Sequence, residues 1–447
     1  MSYRFFLGCA IAVAAVRLMA LPLPGTEDVS TFRVWAHFAA AEGVSGLYGT
    51  GGWPPNQRQI AFDGESTVVD YPPAALLYLQ AAGTAYRAYR WQFSHPFSRM
   101  ELTIAIKLLT VAAAMTVAGL VWLLTRRLRD ERSARLAAMA YWANPTVILH
   151  GAALGYLGSL AFAPALGALL AAALGRTWIC GALLALGVLT KPQAVFAAPA
   201  ILMLLAAGAE PGRRVTSATL AALIVTALLL SPYAMAGTTS SLLHAVGALT
   251  AGPVLSAAAN FWWVVGALSD GQFVATIRDT REVWPQPYVI GIWPLNSFII
   301  GAVGWGSVAA IVAWASWRAW MVRSLASAVA LAAFTVHVYF ILALQVHEGH
   351  FSLALPLLAI LAAADPRYRG LFVAASVAFG LNLLLFYDLL GGRSYRLPSR
   401  IGPLQTSIVV AVLNVLVFVQ HWRLFRLCVV PGQVPALKAG GAIREST

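Results

Sequence analysis

Charged residues and cysteines are scarce in this chain of 447 residues. Only 11% of its residues are charged and 60% are apolar, against roughly 25% and 45–50% in soluble proteins. This shortage of charge excludes a soluble enzyme with a single membrane anchor. The three cysteines, Cys9, Cys180 and Cys428, each lie in or beside an apolar run, so they imply no disulfide framework. Short repeats and low-complexity tracts are also lacking, which excludes a fibrous or disordered protein.

The chain is instead rich in apolar segments that suit a bilayer, which a helix crosses with about 20 residues. The candidate spans are 5–24, 101–125, 134–150, 152–174, 215–235, 294–317, 323–345, 370–391 and 404–425. The stretch 178–208 is interpreted as two short helices broken at Lys191-Pro192-Gln193, and 351–364 as a short helix. The sequence therefore predicts an all-α polytopic membrane protein with about 12 transmembrane helices.

The excess of basic residues, 30 Lys and Arg against 17 Asp and Glu, is interpreted as a topology signal and not as a nucleic-acid site. Residues 73–86 are too short to span and are predicted to lie in the membrane interface. The arginine-rich loop 126–135 and the tail 427–447 then fall in the cytoplasm, as the positive-inside rule requires. Residues 1–426 form one membrane-embedded domain, in which two long loops, 25–100 and 236–293, face outward and form the working face.

Acidic residues collect in the first outer loop. Glu27 and Asp28 open a helical pattern with one apolar stripe, which predicts an amphipathic helix on the membrane surface. A carboxylate at a helix start is typical of an N-cap, and the same place suits a general base. Both interpretations of Asp28 stay open. Asp70-Tyr71-Pro72-Pro73 closes the loop and predicts the start of the interfacial helix.

The cluster His347-Glu348-Gly349-His350 follows the span 323–345. Its histidines are three residues apart, whereas the zinc motif H-E-x-x-H places them four apart on one helical face. No metal site is therefore predicted. Imidazoles at a helix end suit an anionic partner such as a phosphate, and the alternative is a polar loop between two spans.

Lys191 lies at a helix break, and backbone of this kind is tolerated at membrane depth only beside a cavity or buried in protein. A snorkelling lysine is the alternative. Asn260 and Trp262 belong to an aromatic run that suits either an interfacial belt or stacking on a sugar ring.

One basic cluster falls on the outer side, and its members are Arg393, Arg396 and Arg400. A solvated loop is the plain interpretation. The functional one is a site for an anionic lipid headgroup at the outer leaflet.

Four of these segments occur in the order found in the GT-C superfamily of membrane glycosyltransferases. The chain looks most like the branch with the dolichyl-phosphate-glucose-dependent glucosyltransferases and their bacterial relatives. The matching segments are Asp28-x4-Arg33-x-Trp35, Asp70-Tyr71-Pro72-Pro73, Ala259-Asn260-Phe261-Trp262 and His347-Glu348.

The resemblance implies inverting transfer of a hexose from a polyprenyl-phosphate sugar to a lipid-linked or glycan acceptor, without a metal cofactor. Such a protein would work at the outer face of its membrane. In a bacterium this would be the inner membrane. Asp28 would be the general base, and His347 would lie by the donor phosphate. Together with His347, the residues predicted to contact substrate are Arg33, Asp70, Tyr71, Lys191, Asn260, Trp262, Glu348, His350, Arg393 and Arg396.

The sequence departs from the family at Gly349, where a basic residue usually follows His-Glu. The phosphate contact would then come from Lys191, His350 or the Arg393–Arg400 cluster. Two other functions remain open. The break at Lys191-Pro192 and Arg17 within a span favour a lipid or sugar transporter or flippase, although the polar motifs collect in outer loops. Another transferase chemistry on the same fold, such as an oligosaccharide ligase, shares most of the motifs.

Overall fold

The architecture is almost entirely helical, as the sequence predicted. The structure is a computed structural model that describes residues 3–49, 58–248, 258–268, 297–388, 397–398 and 400–429. In chain order, α1 to α17 of the described part are Tyr3–Met19, Glu27–Glu42, Pro73–Phe93, Arg99–Leu128, Glu131–Trp142, Pro145–Ile148, Gly158–Ala173, Thr177–Thr190, Ala198–Ala206, Pro211–Met235, Thr239–Ala248, Phe261–Leu268, Ser297–Trp320, Leu325–Leu342, Ala354–Ala364, Arg367–Phe386 and Thr406–Cys428.

Shorter elements connect these helices. Three 3₁₀-helices lie in the described residues, at Ser45–Tyr48, Pro192–Ala197 and Glu348–Leu353, and one π-helical turn covers Leu149–Ala153. The strands β1 to β4 are Ile60–Phe62, Glu65–Thr67, Arg400–Ile401 and Leu404–Gln405. They pair as two antiparallel hairpins, β1 with β2 and β3 with β4.

Five helices of the described part, α4, α10, α14, α16 and α17, are long and apolar enough to cross a membrane. Shorter apolar helical segments are Gly158–Ala173, Thr177–Thr190, Pro192–Ala206 and Glu348–Ala364. The protein is therefore an integral membrane protein, whereas the count of about 12 spans stays a prediction. α14 is buried along nearly its whole length and forms the centre of the main apolar core.

The predicted span 134–150 is wrong, because the chain breaks within it. α5 ends at Trp142, and the side chain of Asn144 then accepts a hydrogen bond of 2.9 Å from the amide of Thr146 to start α6. The Asn144 amide also donates to the Ser376 hydroxyl on α16, 2.7 Å away. A proline at the next position has no amide to continue the α5 ladder. The break leads into the π-helical turn and the loop before Tyr156.

The helix predicted over 73–86 is present as α3, which begins at Pro73 and is longer than predicted, since it ends at Phe93; its place in the membrane interface stays a prediction. It packs against α2 almost backbone to backbone. A Cβ built on Gly83 would lie 2.2 Å from the carbonyl oxygen of Ala36, so only glycine permits this approach. Gln80 and Arg87 of α3 donate to the carbonyls of Ala39 and Ala40 at 3.1 and 2.7 Å. α2 and α3 are thus joined as one unit.

Candidate active site

Five charged or titratable side chains from separate parts of the chain meet in one place. Electrostatic interactions join Asp28 in the first turn of α2 to Lys191, His347 and Glu348, and they join Asp70 to Asp28. We call these five residues the acid–base cluster. All five were predicted from the sequence as site residues, and the fold brings them together from positions 28 to 348.

Lys191 reaches the cluster because α8 stops where a proline follows. Its amide still bonds the Gly187 carbonyl at 2.9 Å, but its backbone is extended, with φ −153° and ψ 120°. The chain then continues as the 3₁₀-helix that starts at Pro192. The predicted break is confirmed, and Lys191 is buried there, 7% exposed. A buried ammonium needs anionic partners, and Asp28 and Glu348 supply that charge.

Asp28 is not the N-cap of its helix. The cap position is Thr26, with extended backbone at φ −79° and ψ 172°, and Asp28 is the second residue of α2. Its side chain is partly exposed. The pKa of Asp28 is raised to about 6, first by burial and then by the neighbouring Glu348 carboxylate. The charges of His347 and Lys191 oppose this rise. The carboxylate is therefore accessible and poised to take up a proton near neutral pH.

Glu348 and His347 are adjacent but face different surroundings. The His347 side chain is 59% exposed and that of Glu348 only 3%, with 4.0 Å between His347 Nδ1 and Glu348 Oε2. The Tyr156 hydroxyl donates a hydrogen bond to Glu348 Oε1. Asn382 on α16 donates to the Glu348 carbonyl at 3.3 Å. Glu348 is thus fixed from two sides, while the side chain of His347 is largely exposed.

The structure accounts for glycine at position 349. The rings of His150 and Tyr156 stack with centroids 4.9 Å apart. A Cβ on Gly349 would lie 3.3 Å from both His150 Nε2 and Tyr156 Cδ1. A side chain at position 349 would therefore require this stack to shift by a few tenths of an ångström. With glycine at this position, a cation for a phosphate would come from another element, and Lys191 is the lysine among the five clustered residues.

His350 lies behind the cluster. Its Nδ1 is 2.9 Å from the Tyr339 hydroxyl, and its Nε2 is 3.2 Å from the Gln193 side-chain amide. Both ring nitrogens thus have protein partners. His350 connects the 3₁₀-helix after Lys191 to the loop that carries His347.

Asp70 and Tyr71 form the wall of the cluster beside α3. The pKa of Asp70 is raised to about 6 by burial and by the charge of Asp28. The Tyr71 ring packs on Phe32 and Trp35 of α2, with centroid distances of 5.5 and 5.4 Å. Tyr71 thereby holds the residue that precedes it against the helix of Asp28.

Asn260 and Trp262 hold the segment that leads to His347. The Asn260 side chain accepts from the Trp262 amide at 3.0 Å and donates to the Phe340 carbonyl at 3.2 Å. The Trp262 indole donates to the Leu342 carbonyl at 2.7 Å. Both side chains are buried and bind the end of α14. In the described residues they act on protein groups, and their predicted contact with substrate stays a prediction.

The remaining predicted residues lie elsewhere. Arg33 is bonded to the Thr103 hydroxyl at 3.2 Å and faces Asp63 and Arg99 beside the β1–β2 hairpin. Arg393 and Arg396 lie outside the described residues, and Arg400 begins the exposed strand β3.

The acidic and imidazole side chains of the cluster are also of the types that bind metals, although the sequence predicts no metal site. In the stretches that the structure describes, no three or more His, Cys, Asp or Glu side chains are arranged to hold a metal ion. The metal independence implied by the family resemblance remains a prediction.

Sequence reasoning missed Tyr156 and Tyr339, and it noted Gln193 only as part of the helix break. The segment Gly155-Tyr156-Leu157-Gly158 carries one polar group, the tyrosine hydroxyl, and that hydroxyl binds Glu348. A tyrosine inside an apolar run usually finds a buried partner. This rule was the available signal.

Similarity to known proteins was sought at three levels. No protein-family model and no curated protein sequence matches the chain. Its structure is similar to that of ArnT from Cupriavidus metallidurans bound to undecaprenyl phosphate, with a TM-score of 0.50 and 14% identity, over 95% of this chain and 77% of ArnT. It is also similar to the oligosaccharyltransferase AglB from Archaeoglobus fulgidus in complex with an inhibitory peptide and a dolichol-phosphate. That match has a TM-score of 0.45 and 12% identity, over 93% of this chain and 56% of AglB.

At these identities the ArnT match establishes the fold and leaves the activity to be argued from the site. The superfamily indicated by the four sequence motifs stays a prediction that this likeness of fold supports. The narrower branch of dolichyl-phosphate-glucose-dependent enzymes stays a prediction. The chain therefore has a fold similar to that of ArnT.

Proposed function

We propose that the protein is an inverting glycosyltransferase that moves a hexose from a polyprenyl-phosphate sugar to a lipid-linked or glycan acceptor. The acid–base cluster carries the proposal, because it sets a partly exposed carboxylate, Asp28, near a lysine and an exposed imidazole. A single displacement at the anomeric carbon needs a base on one face and a stabilised leaving group on the other. The undecaprenyl phosphate bound by ArnT has the headgroup that this scheme would release.

Each group has one role in the proposed reaction. Asp28 takes the proton of the acceptor hydroxyl as that oxygen attacks the anomeric carbon. The bond from this carbon to the phosphate oxygen breaks, and Lys191 and His347 stabilise the negative charge of the released polyprenyl phosphate. Glu348, held by Tyr156, fixes the loop that presents His347.

In this proposal the site lies at the outer face of the membrane. If the source is a bacterium, this membrane is the inner membrane. In this proposal the reaction needs no metal, because the Lys191 ammonium and a hydrogen bond from the His347 imidazole stabilise the phosphate where a divalent cation would otherwise do so. The proposed location is based on the charge pattern of the loops, and the proposed metal independence is based on the residues of the cluster.

A panel of donors tests the proposed activity. Purified protein in detergent, incubated with different polyprenyl-phosphate hexoses and a total lipid and glycan extract, is expected to yield new glycosylated products by mass spectrometry. Product formation in EDTA is expected to equal that without it. Sealed vesicles provide the contrasting assay, because transport needs two compartments and transfer does not. Flux of the lipid sugar without any new product would support a transporter and contradict the proposal.

The pH dependence of transfer provides a second test. Asp28 must be ionised to act as a base, and its pKa is raised to about 6 by burial and by Glu348. The rate is therefore expected to be full above pH 7 and to fall as the pH drops through about 6. We call this fall in rate the acid limb. With an ordinary aspartate as the base, the acid limb would lie near pH 4.

Asp70 has a pKa raised to a similar value, so it provides the matched control. The Asp70→Asn variant is expected to keep the acid limb near pH 6, even if its rate is lower. Loss of the limb in this variant, or a parent limb near pH 4, contradicts the assignment of the limb to Asp28.

A further inference from the structure

A second buried lysine lies close to the cluster without belonging to it. Lys107 is on α4 and is fully buried, 0% exposed. Its ammonium donates to the carbonyl of Leu23 at 2.5 Å and to that of Ala153 at 2.6 Å. A buried ammonium is costly unless it is hydrogen-bonded, and both of these acceptors are backbone oxygens. The side chain thus binds two segments that are far apart in sequence.

The two segments lead to residues of the site. Residues 23–27, the first strap, run directly into Asp28. Residues 153–155, the second strap, run directly into Tyr156, which holds Glu348. The straps also bond each other, since the Thr26 amide donates to the Leu154 carbonyl at 3.0 Å.

Two glycines allow the straps to lie against Lys107. Gly25 and Gly155 have φ of +82° and +80°, a left-handed conformation that glycine adopts without strain. A Cβ on Gly25 would lie 3.2 Å from Lys107 Cε, and one on Gly155 would lie 3.0 Å from the same atom. Each would also come within 2.6 Å of the Val29 side chain. The lysine stem therefore fills the gap between two stretches of bare backbone.

We infer that Lys107 is a positioning residue that fixes Asp28 relative to Tyr156 and Glu348 by joining the two straps. It carries no proton for the reaction, because its ammonium is directed at two carbonyl oxygens. The inference rests on the proposed function for its kinetic consequence only. Its structural part, the joining of the straps, is independent of which reaction the cluster performs.

The test replaces Lys107 with Met, which keeps the stem and removes the ammonium. Amide hydrogen exchange in residues 23–28 and 153–157 is expected to become about 10-fold faster, as for the loss of one net hydrogen bond. With the donor identified by the panel, kcat is expected to fall about 10- to 100-fold, because small displacements of a base are costly. KM for the donor is expected to stay unchanged.

Thr110→Val is the matched control. Thr110 lies one turn further along α4 and its hydroxyl donates to the Gly151 carbonyl at 3.0 Å, so the variant removes a bond from α4 to the π-helical turn that involves neither strap. Amide exchange in the two straps of this variant and its kcat are expected to equal those of the parent. Lys107→Gln, which keeps amide donors on a shorter stem, is expected to give intermediate exchange and an intermediate kcat, and it carries the test alone if Lys107→Met does not fold.

The outcomes separate the two proposals. Unchanged exchange in both straps, or exchange that rises equally throughout the protein, overturns the positioning role. Faster exchange in the straps of a protein that transfers no sugar supports the structural part and counts against the proposed function. A rise in KM with kcat unchanged would make Lys107 a contributor to donor binding and also overturns the inference.

Discussion

Replacing Asp28 with Asn is expected to lower the rate of sugar transfer about 100- to 10,000-fold, the usual contribution of a general base. The amide has the shape of the carboxylate but cannot take the acceptor proton. Binding of the donor should persist, since Lys191 and His347 are untouched. The measurement is single-turnover transfer with saturating donor, alongside the melting temperature of the purified variant. The residual rate should also lose the acid limb near pH 6, because the titrating group is gone.

Glu27→Gln provides the control for Asp28→Asn. Glu27 is the preceding residue of the same helix and is exposed, so the control removes one negative charge at nearly the same place. It is expected to transfer at about the parent rate. Transfer by Asp28→Asn at the parent rate would show that another group is the base, and equal losses in both variants would indicate a general effect of charge.

Replacing Lys191 with Met is expected to reduce kcat/KM for the donor about 100- to 1,000-fold, the cost of removing one group that stabilises a developing anion. In the proposed reaction Lys191 takes the place of the basic residue that is absent at Gly349. Polyprenyl phosphate without a sugar should also bind more weakly, which can be measured by its inhibition of transfer or by direct titration. This second readout does not depend on the sugar.

The control for Lys191 is Arg176→Met. Arg176 caps the other end of α8 and is exposed, so this variant removes a positive charge from the same helix away from the cluster. It is expected to bind polyprenyl phosphate as the parent does. If Lys191→Met retains full affinity for polyprenyl phosphate while folding normally, the lysine serves only the stability of the helix break.

The fold was predictable where apolar length and helix breakers agree. The break at Lys191-Pro192 is visible in the sequence because proline cannot continue a helical ladder. The break at Asn144-Pro145 has the same signal, but apolar residues on both sides masked it in the prediction of a span over 134–150. There the decisive contacts are long-range, since Asn144 bonds Ser376 on α16. Partners 232 positions away cannot be read from a local pattern.

The charged members of the site were predictable and their neutral partners were not. Carboxylates, a lysine and a histidine in mostly apolar surroundings are conspicuous, because such groups are costly there without a function. Tyr156 does not stand out in this way, and its role depends on a bond to a residue far along the chain. Lys107 was not predicted for another reason. A single lysine in an apolar run is interpreted as part of a membrane span, and its contacts with the two straps are visible only in the fold.

The close packing of α2 on α3 also bears on how this protein sits in a bilayer. Gly83 lets the two helices pack almost backbone to backbone, and the bonds from Gln80 and Arg87 join them, so we expect them to move together. α3 carries exposed aromatics at its end, with Trp91 83% and Phe93 66% exposed, and such side chains settle at the headgroup level of a bilayer. If α3 floats there, as the sequence predicts, the height of Asp28 above the hydrocarbon is set by the lipids themselves. The proposed transfer rate would then depend on bilayer thickness and headgroup packing, because the close contact at Gly83 makes α2 follow the depth of α3.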